Sequence, residues 1–194
     1  MSSLPNPFSR LKWFNPPPAA EWRGNALLVR PAPATDFWQR THYGFQADSG
    51  HLLFEDISAD FDCAVDVQLR PVHQYDQAGL MVRLSAECWL KTSVEFEPDG
   101  PNYLGAVVTN LGYSDWSTQP LDPSIRCVRF RLQRRGAGFL IHAAPAPHHQ
   151  WIQLRICHLL QLQPRQTVSA GIYACSPKGA GFEAEFFNFS LQAR

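Results

Sequence analysis

Over residues 61–69 every second residue is apolar: Phe61, Cys63, Val65, Val67 and Leu69 alternate with Asp62, Ala64, Asp66 and Gln68. Side chains of an extended chain point alternately to its two faces, so this run has one dry face and one wet face. On a helix the same residues would scatter around the circumference. A chain carrying this pattern needs a sheet buried on one side. The period of two returns in Val128, Phe130 and Leu132 against Arg129, Arg131 and Gln133, and in Ile152, Leu154 and Ile156 against Gln153, Arg155 and Cys157. Gly136-Ala137-Gly138 before Phe139-Leu140-Ile141-His142 predicts a hairpin. Further strands are predicted over residues 26–31, 37–43, 52–57, 168–175 and 183–191, each bounded by turn residues. About a dozen short strands without a helical period predict an all-β sandwich of jelly-roll spacing.

The 194 residues suit one domain, and 45% apolar with 18% charged residues make it globular. The first 25 residues are Pro-rich. Pro17 and Pro18 cannot donate to a ladder, so an extended, irregular segment is expected there, pinned to the body by Trp13, Phe14 and Trp22. Residues 26–194 then form the single sandwich domain. Formal net charge is zero, which argues against nucleic acid or an anionic membrane as partner. No apolar run approaches the roughly 18 residues of a membrane span, and no leader pattern opens the sequence. The five cysteines are odd in number, widely spaced and free of a CxxC pair. Reduced thiols and a cytoplasmic protein are expected.

The stretch over residues 75–116 carries the chemistry. Gln77, Gly79, Met81 and Arg83 share one face of a strand, and Trp89, Lys91, Ser93 and Glu95 share one face of the next. The opposite faces, Ala78, Leu80 and Val82 with Leu90, Thr92, Val94 and Phe96, are more apolar, so the first set is expected to line a wetter, concave side. Sugars bind such mixtures, because aromatic rings stack on C–H faces while carboxylates, amides and ammonium groups take the hydroxyls. Trp38, Tyr75, Trp89 and Trp116 are the candidate platforms. Asp76, Gln77, Lys91, Glu95, Asn110 and Asp115 are the candidate hydrogen-bonding residues. The alternative for individual positions is structural: Trp38 and Trp89 as core, Lys91 and Glu95 as an ion pair.

Several blocks resemble the regulation-of-enolase proteins, a bacterial and fungal family of the concanavalin A-like lectin/glucanase superfamily. They are Trp13-Phe14-Asn15-Pro16-Pro17, Thr35-Asp36-Phe37-Trp38, Thr41-His42-Tyr43-Gly44, Tyr75-Asp76-Gln77-Ala78-Gly79-Leu80-Met81, Trp89-Leu90-Lys91, Val94-Glu95, Val108-Thr109-Asn110 and Ser114-Asp115-Trp116. The resemblance spans nearly the whole chain. It implies a concanavalin A-like jelly-roll sandwich of two curved antiparallel sheets, and it implies no settled activity.

Other chemistries find less support. Glu95-Phe96-Glu97 would place two carboxylates on one strand face about 6–7 Å apart. However, against the Glu-x-Asp-x-Glu pattern that the superfamily's glucanases carry, Glu97 replaces the middle Asp and Asp99 the last Glu, and Pro98 would end the strand. Arg126, Arg129, Arg131, Arg134 and Arg135 form a basic strand, expected to be a solvated face neutralised by Asp62, Asp66 and Glu55. The histidines lack chelating spacing, and Asp60 with Asp62 lacks the oxygen-rich loop of a calcium site, so neither metal nor cofactor is expected. Three functions remain. The first is binding of a saccharide or small polyol. The second is a non-catalytic interaction module regulating a metabolic enzyme such as enolase. The third is a glycoside-active enzyme with a non-standard carboxylate pair.

Overall fold

A computed structural model describes residues 6–148, 150–179 and 182–194. Its strands are β1 (Lys12–Phe14), β2 (Ala19–Arg23), β3 (Ala26–Arg30), β4 (Phe37–Gln39), β5 (Gln46–Asp48), β6 (His51–Ile57), β7 (Phe61–Arg70) and β8 (Gln77–Ser85). They continue as β9 (Cys88–Glu95), β10 (Asn102–Asn110), β11 (Tyr113–Leu121), β12 (Cys127–Arg135), β13 (Gly138–Pro145), β14 (Ile152–His158), β15 (Val168–Cys175) and β16 (Glu183–Ala193). One seven-stranded sheet runs β1-β6-β15-β8-β9-β10-β11 and the other β14-β13-β12-β7-β16-β3-β2. The named strands pair antiparallel throughout. The two sheets form the expected sandwich.

The alternating runs set which faces meet. Phe61, Cys63, Val65, Val67 and Leu69 of β7 are buried beside Val128, Phe130 and Leu132 of β12. Opposite them lie Ala78, Leu80 and Val82 of β8, Leu90 and Val94 of β9, and Leu104, Ala106 and Val108 of β10, in one core cluster. Each large side chain taken from water contributes about 1.5–3 kcal/mol, so this shared layer holds the sheets together.

The wet face of β7 is neutralised across the ladder. Arg129 lies opposite Asp66 and donates from Nε and Nη2 at 2.5 and 2.6 Å, while Asn188 Nδ2 adds a bond of 2.7 Å to the same carboxylate. Asp62 takes Gln133 at 3.0 Å and Arg135 at 3.2 Å. Glu55, expected to join them, lies on β6 in the other sheet. Arg134 also departs from the expected solvated stripe. It is fully buried and donates to the carbonyls of Gly136 and Gln166 at 2.8 and 3.0 Å.

The Pro-rich segment is more regular than its composition predicts. β1 joins the edge of one sheet and β2 the edge of the other, with Pro16, Pro17 and Pro18 between them, where no donor is required. Phe8 stacks on Phe189 at 5.1 Å and meets Trp22 at 5.5 Å. Asn15 O and the Ala32 N–H bond the two ring nitrogens of His51 at 2.6 and 2.9 Å, and burial holds that imidazole below its ordinary pKa.

The strand expected over residues 37–43 ends at Gln39, because Arg40 and His42 adopt positive φ of 54° and 63°. The chain turns back as β5, and this hairpin lies on the outer face of the first sheet. Gln39 N–H bonds Ser114 Oγ at 2.9 Å, which fastens β4 above β11. Phe37 packs against Trp89 at 6.1 Å and Tyr173 at 6.3 Å. A second apolar cluster forms there from Phe37, Trp38, Leu52, Met81, Trp89, Val107, Tyr173 and Cys175. The face expected to be wet is therefore dry over much of its area.

Candidate functional site

Where the hairpin stops short of covering the first sheet, a cavity of about 400 Å³ remains. Its floor is Gln77 of β8, Lys91 and Glu95 of β9 and Trp116 of β11; Ala34, Asp36, Trp38, Tyr43, Phe45, Ala47, Tyr75, Pro177 and Lys178 form the walls. The volume suits a small molecule.

The walls come from three segments joined at one serine. Ser176 Oγ donates to Asp76 Oδ1 at 2.6 Å, and Ser176 N–H donates to Thr35 Oγ1 at 3.0 Å. Asp76 Oδ2 takes the N–H groups of Val72 and His73, both at 2.8 Å. Asp76 thus ties the turn before β8 to the loop after β15, and Thr35 ties in the segment before β4. That turn also holds Tyr75 at a positive φ of 67°, and Tyr75 N–H donates to Phe96 O at 2.8 Å. A non-glycine residue in this region stores about 1–2 kcal/mol of strain, and here the strained residue contributes a cavity wall.

The rings enclose the space from two directions. Trp38 and Trp116 stand at 82° with centroids 6.5 Å apart, and Tyr43 and Phe45 extend the Trp38 wall at 5.5 and 6.3 Å. Trp38 Nε1 is held by Thr41 O at 3.1 Å, which fixes the ring.

Most polar groups on the floor are already engaged. Lys91, 2% exposed, donates from Nζ to Gln77 Oε1 at 2.8 Å and to Asp36 Oδ1 at 3.2 Å. Gln77 also accepts from Tyr173 OH at 3.1 Å and donates to Tyr75 O at 3.2 Å. The ion pair of Lys91 is with Asp36, not with Glu95. Burial alone would discharge Lys91, but the nearby Asp36 and Glu95 carboxylates carry its pKa above the ordinary value. Glu95 differs. It is 7% exposed, and its carboxyl takes no hydrogen bond among the described residues. Burial raises its pKa to about 7; Lys91 opposes the rise, and Asp36 and Glu97 add to it.

Six of the ten predicted residues meet at this cavity: Trp38, Tyr75, Gln77, Lys91, Glu95 and Trp116. Four lie elsewhere. Asp76 is fully buried in the junction just described. Trp89 is fully buried in the second apolar cluster, its Nε1 donating to Ala86 O at 3.1 Å. Asn110 bridges to His158 O and Leu160 N at 3.0 and 2.8 Å. Asp115 pairs with Arg155 at 2.9 Å. Nor do Glu95 and Glu97 act as a strand pair, since β9 ends at Glu95 and Gln74 Nε2 engages Glu97 at 3.0 Å. Asp60 and Asp62 are occupied by Gly136 N–H and by Gln133, Arg135 and Arg194. Sequence reasoning missed Asp36, Tyr43, Phe45 and Lys178. Asp36 and Tyr43 stood inside recognisable blocks, but no periodicity showed that the hairpin folds back over the sheet.

Comparisons with known proteins agree with this architecture. A functionally unknown protein from Saccharomyces cerevisiae superposes with a TM-score of 0.86 at 31% identity, over 96% of this chain and 98% of that one. The carbohydrate-binding module CBM66 from Bacillus subtilis superposes at 0.60 and 12% identity, over 93% and 95% of the two chains, a likeness of fold alone. A mutant of the GH43 protein BlXynB from Bacillus licheniformis superposes at 0.72 and 14% identity, over 97% of this chain but 39% of its own length. In sequence, the chain is 34% identical over 184 residues to "Regulation of enolase protein 1" of Saccharomyces cerevisiae, covering 93% of this chain and 88% of that protein. Residues 13–194 match the family described as "Protein of unknown function (DUF1349)", and the chain belongs to that family.

Proposed function

We propose that the protein binds a small saccharide or related polyol in the cavity between Trp38 and Trp116. The observation that carries this reading is the pairing of two orthogonal indole walls with a carboxyl, Glu95, that takes no hydrogen bond among the described residues. Rings offer apolar faces to sugar C–H groups, and an unpartnered carboxylate accepts hydroxyl protons. The fold shared with a carbohydrate-binding module supports the reading. The test is calorimetric titration with a panel of free sugars and polyols, repeated on Trp116→Ala. Trp116 lies half-buried on edge strand β11, so its loss should spare the main core. Binding that disappears in a variant of near-normal melting temperature supports the assignment. A panel without a ligand, or binding unaffected by the substitution, contradicts it.

A second reading is an interaction module that regulates a metabolic enzyme, and one surface feature favours it. Tyr43, Phe45, Leu111 and Tyr113 are 55, 46, 59 and 61% exposed. Arg40 links their two segments: its N–H donates to Phe45 O at 2.9 Å, and its side chain donates to Gly112 O at 2.9 Å and lies over the Tyr113 ring. Exposed apolar groups gathered in this way mark contact surfaces, and the yeast relative's name points to enolase. Titrating purified enolase against the protein, with Tyr113→Ser as control, tests this reading.

A further inference from the structure

We infer that the cavity recognises a single-ring polyol through two adjacent hydroxyls, both donated to the Glu95 carboxylate, with the ring's apolar face against an indole. This rests on the saccharide reading above and narrows it. The other polar groups lining the cavity's floor are already wholly or partly engaged. Lys91 Nζ is engaged by Asp36 and Gln77. Gln77 is engaged through both ends of its amide. Asp36 Oδ1 already accepts Lys91 and the Phe37 N–H at 2.7 Å. Asp36 Oδ2 is left as a single acceptor, whereas Glu95 keeps two acceptor oxygens side by side, neither of them hydrogen-bonded among the described residues. A carboxylate engages two donors at once when they are spaced like its own oxygens. Neighbouring hydroxyls on a sugar ring present that spacing. The second limit is size: Tyr75, Tyr43, Phe45 and the Pro177–Lys178 loop wall the cavity, so a single ring fits better than the interior of a long chain.

The carboxyl must be ionised to accept both protons. The groups around it are Lys91 and Glu97 on its own segment, Asp36 before β4, Tyr173 and Cys175 on β15, Tyr103 opposite it on β10, and Tyr43, Tyr75 and Lys178 at the walls. Of these only Lys91 is a buried cation, and Asp36 already pairs with it. Glu95 therefore keeps its proton up to about pH 7 in the free protein. Binding should then weaken about thirtyfold between pH 8.5 and pH 5.5, following the ionised fraction.

The experiment titrates xylose, arabinose, fructose, galactose, glucose, myo-inositol and choline chloride at pH 8.5 and 5.5. Any sugar that binds is compared with its mono-deoxy and mono-O-methyl derivatives, and with Glu95→Gln and Glu95→Asp proteins whose melting curves are recorded. The expected result is a binder that weakens about thirtyfold at the lower pH. It loses tenfold or more when one hydroxyl of a neighbouring pair is removed or capped. Glu95→Gln, which offers one amide oxygen, should lose both the affinity and the pH dependence, while Glu95→Asp should retain the pH dependence. A sugar that binds equally at both pH values, or equally to Glu95→Gln, overturns this inference and leaves the saccharide reading intact. A panel in which no sugar binds overturns both. Choline bound in preference to every polyol also overturns both, because aromatic walls with a carboxylate suit a quaternary ammonium.

Discussion

Replacing Glu95 by Gln should make the protein more stable, and only above a definable pH. The substitution keeps the side chain's shape and removes its titration. In the folded chain the carboxyl's pKa is raised by burial to about 7, against 4.5 for an unperturbed glutamate. Between those values the folded protein holds a proton that the unfolded chain has released. The folded state then binds more protons, so stability falls as pH rises through this window and levels off above about 7. A difference of that size corresponds to about 3 kcal/mol of stability lost to the ionised, buried carboxylate. In a chain of this length, this should shift the melting temperature by about 6–12 °C. Urea denaturation of wild type and Glu95→Gln, without added saccharide, should show near-equal stabilities at pH 4. At pH 8.5 the variant should be ahead by about 3 kcal/mol. A difference independent of pH, or a wild type that is the more stable at pH 8.5, refutes the reasoning. A residue whose ionisation lowers stability is expected where function requires a charge.

Other consequences follow from neighbouring contacts. Lys91→Met strands Asp36 and removes a donor from Gln77; breaking one side of such a buried pair should cost about 3 kcal/mol, seen as a lower urea midpoint. A Cβ at Gly50 would lie 2.3 Å from the Phe37 ring and 2.5 Å from Cys175 Sγ. Gly50→Ala should therefore cost about 1–3 kcal/mol and alter the near-ultraviolet dichroism as the hairpin is displaced. Arg129→Ala leaves Asp66 with Asn188 as its remaining side-chain donor among the described residues; a loss of about 1–3 kcal/mol in thermal denaturation is expected.

The sandwich was legible because its inner layer obeys a period of two. Residues 61–69 and 128–132 state which face is dry, and the register then brings Arg129 to Asp66 as charge pairing requires. The outer layer was not legible in that way. Period alone places Trp89 on the same face as Lys91 and Glu95, and the register confirms that placement. What covers that face is a hairpin from residues 37–48, distant in sequence and set by the positive φ of Arg40 and His42. The hairpin buries Trp89 beneath Phe37 and leaves Glu95 at the cavity. Asp76 misled for a related reason. A carboxylate beside Tyr75 and Gln77 suggests a ligand, yet its acceptors are filled by two backbone N–H groups and Ser176, 100 residues away in the chain.

The most direct test of the cavity as the ligand site uses the indole N–H signals of the six tryptophans in a nitrogen-edited nuclear magnetic resonance spectrum. Each tryptophan is assigned by substitution and followed while a sugar is titrated at pH 8.5. If the cavity is the ligand site, the Trp38 and Trp116 signals should move together and saturate, while that of Trp89, sealed against Ala86 O, stays still. Signals from Trp22 or Trp151 moving instead, or no indole signal moving for any sugar that binds, would contradict it.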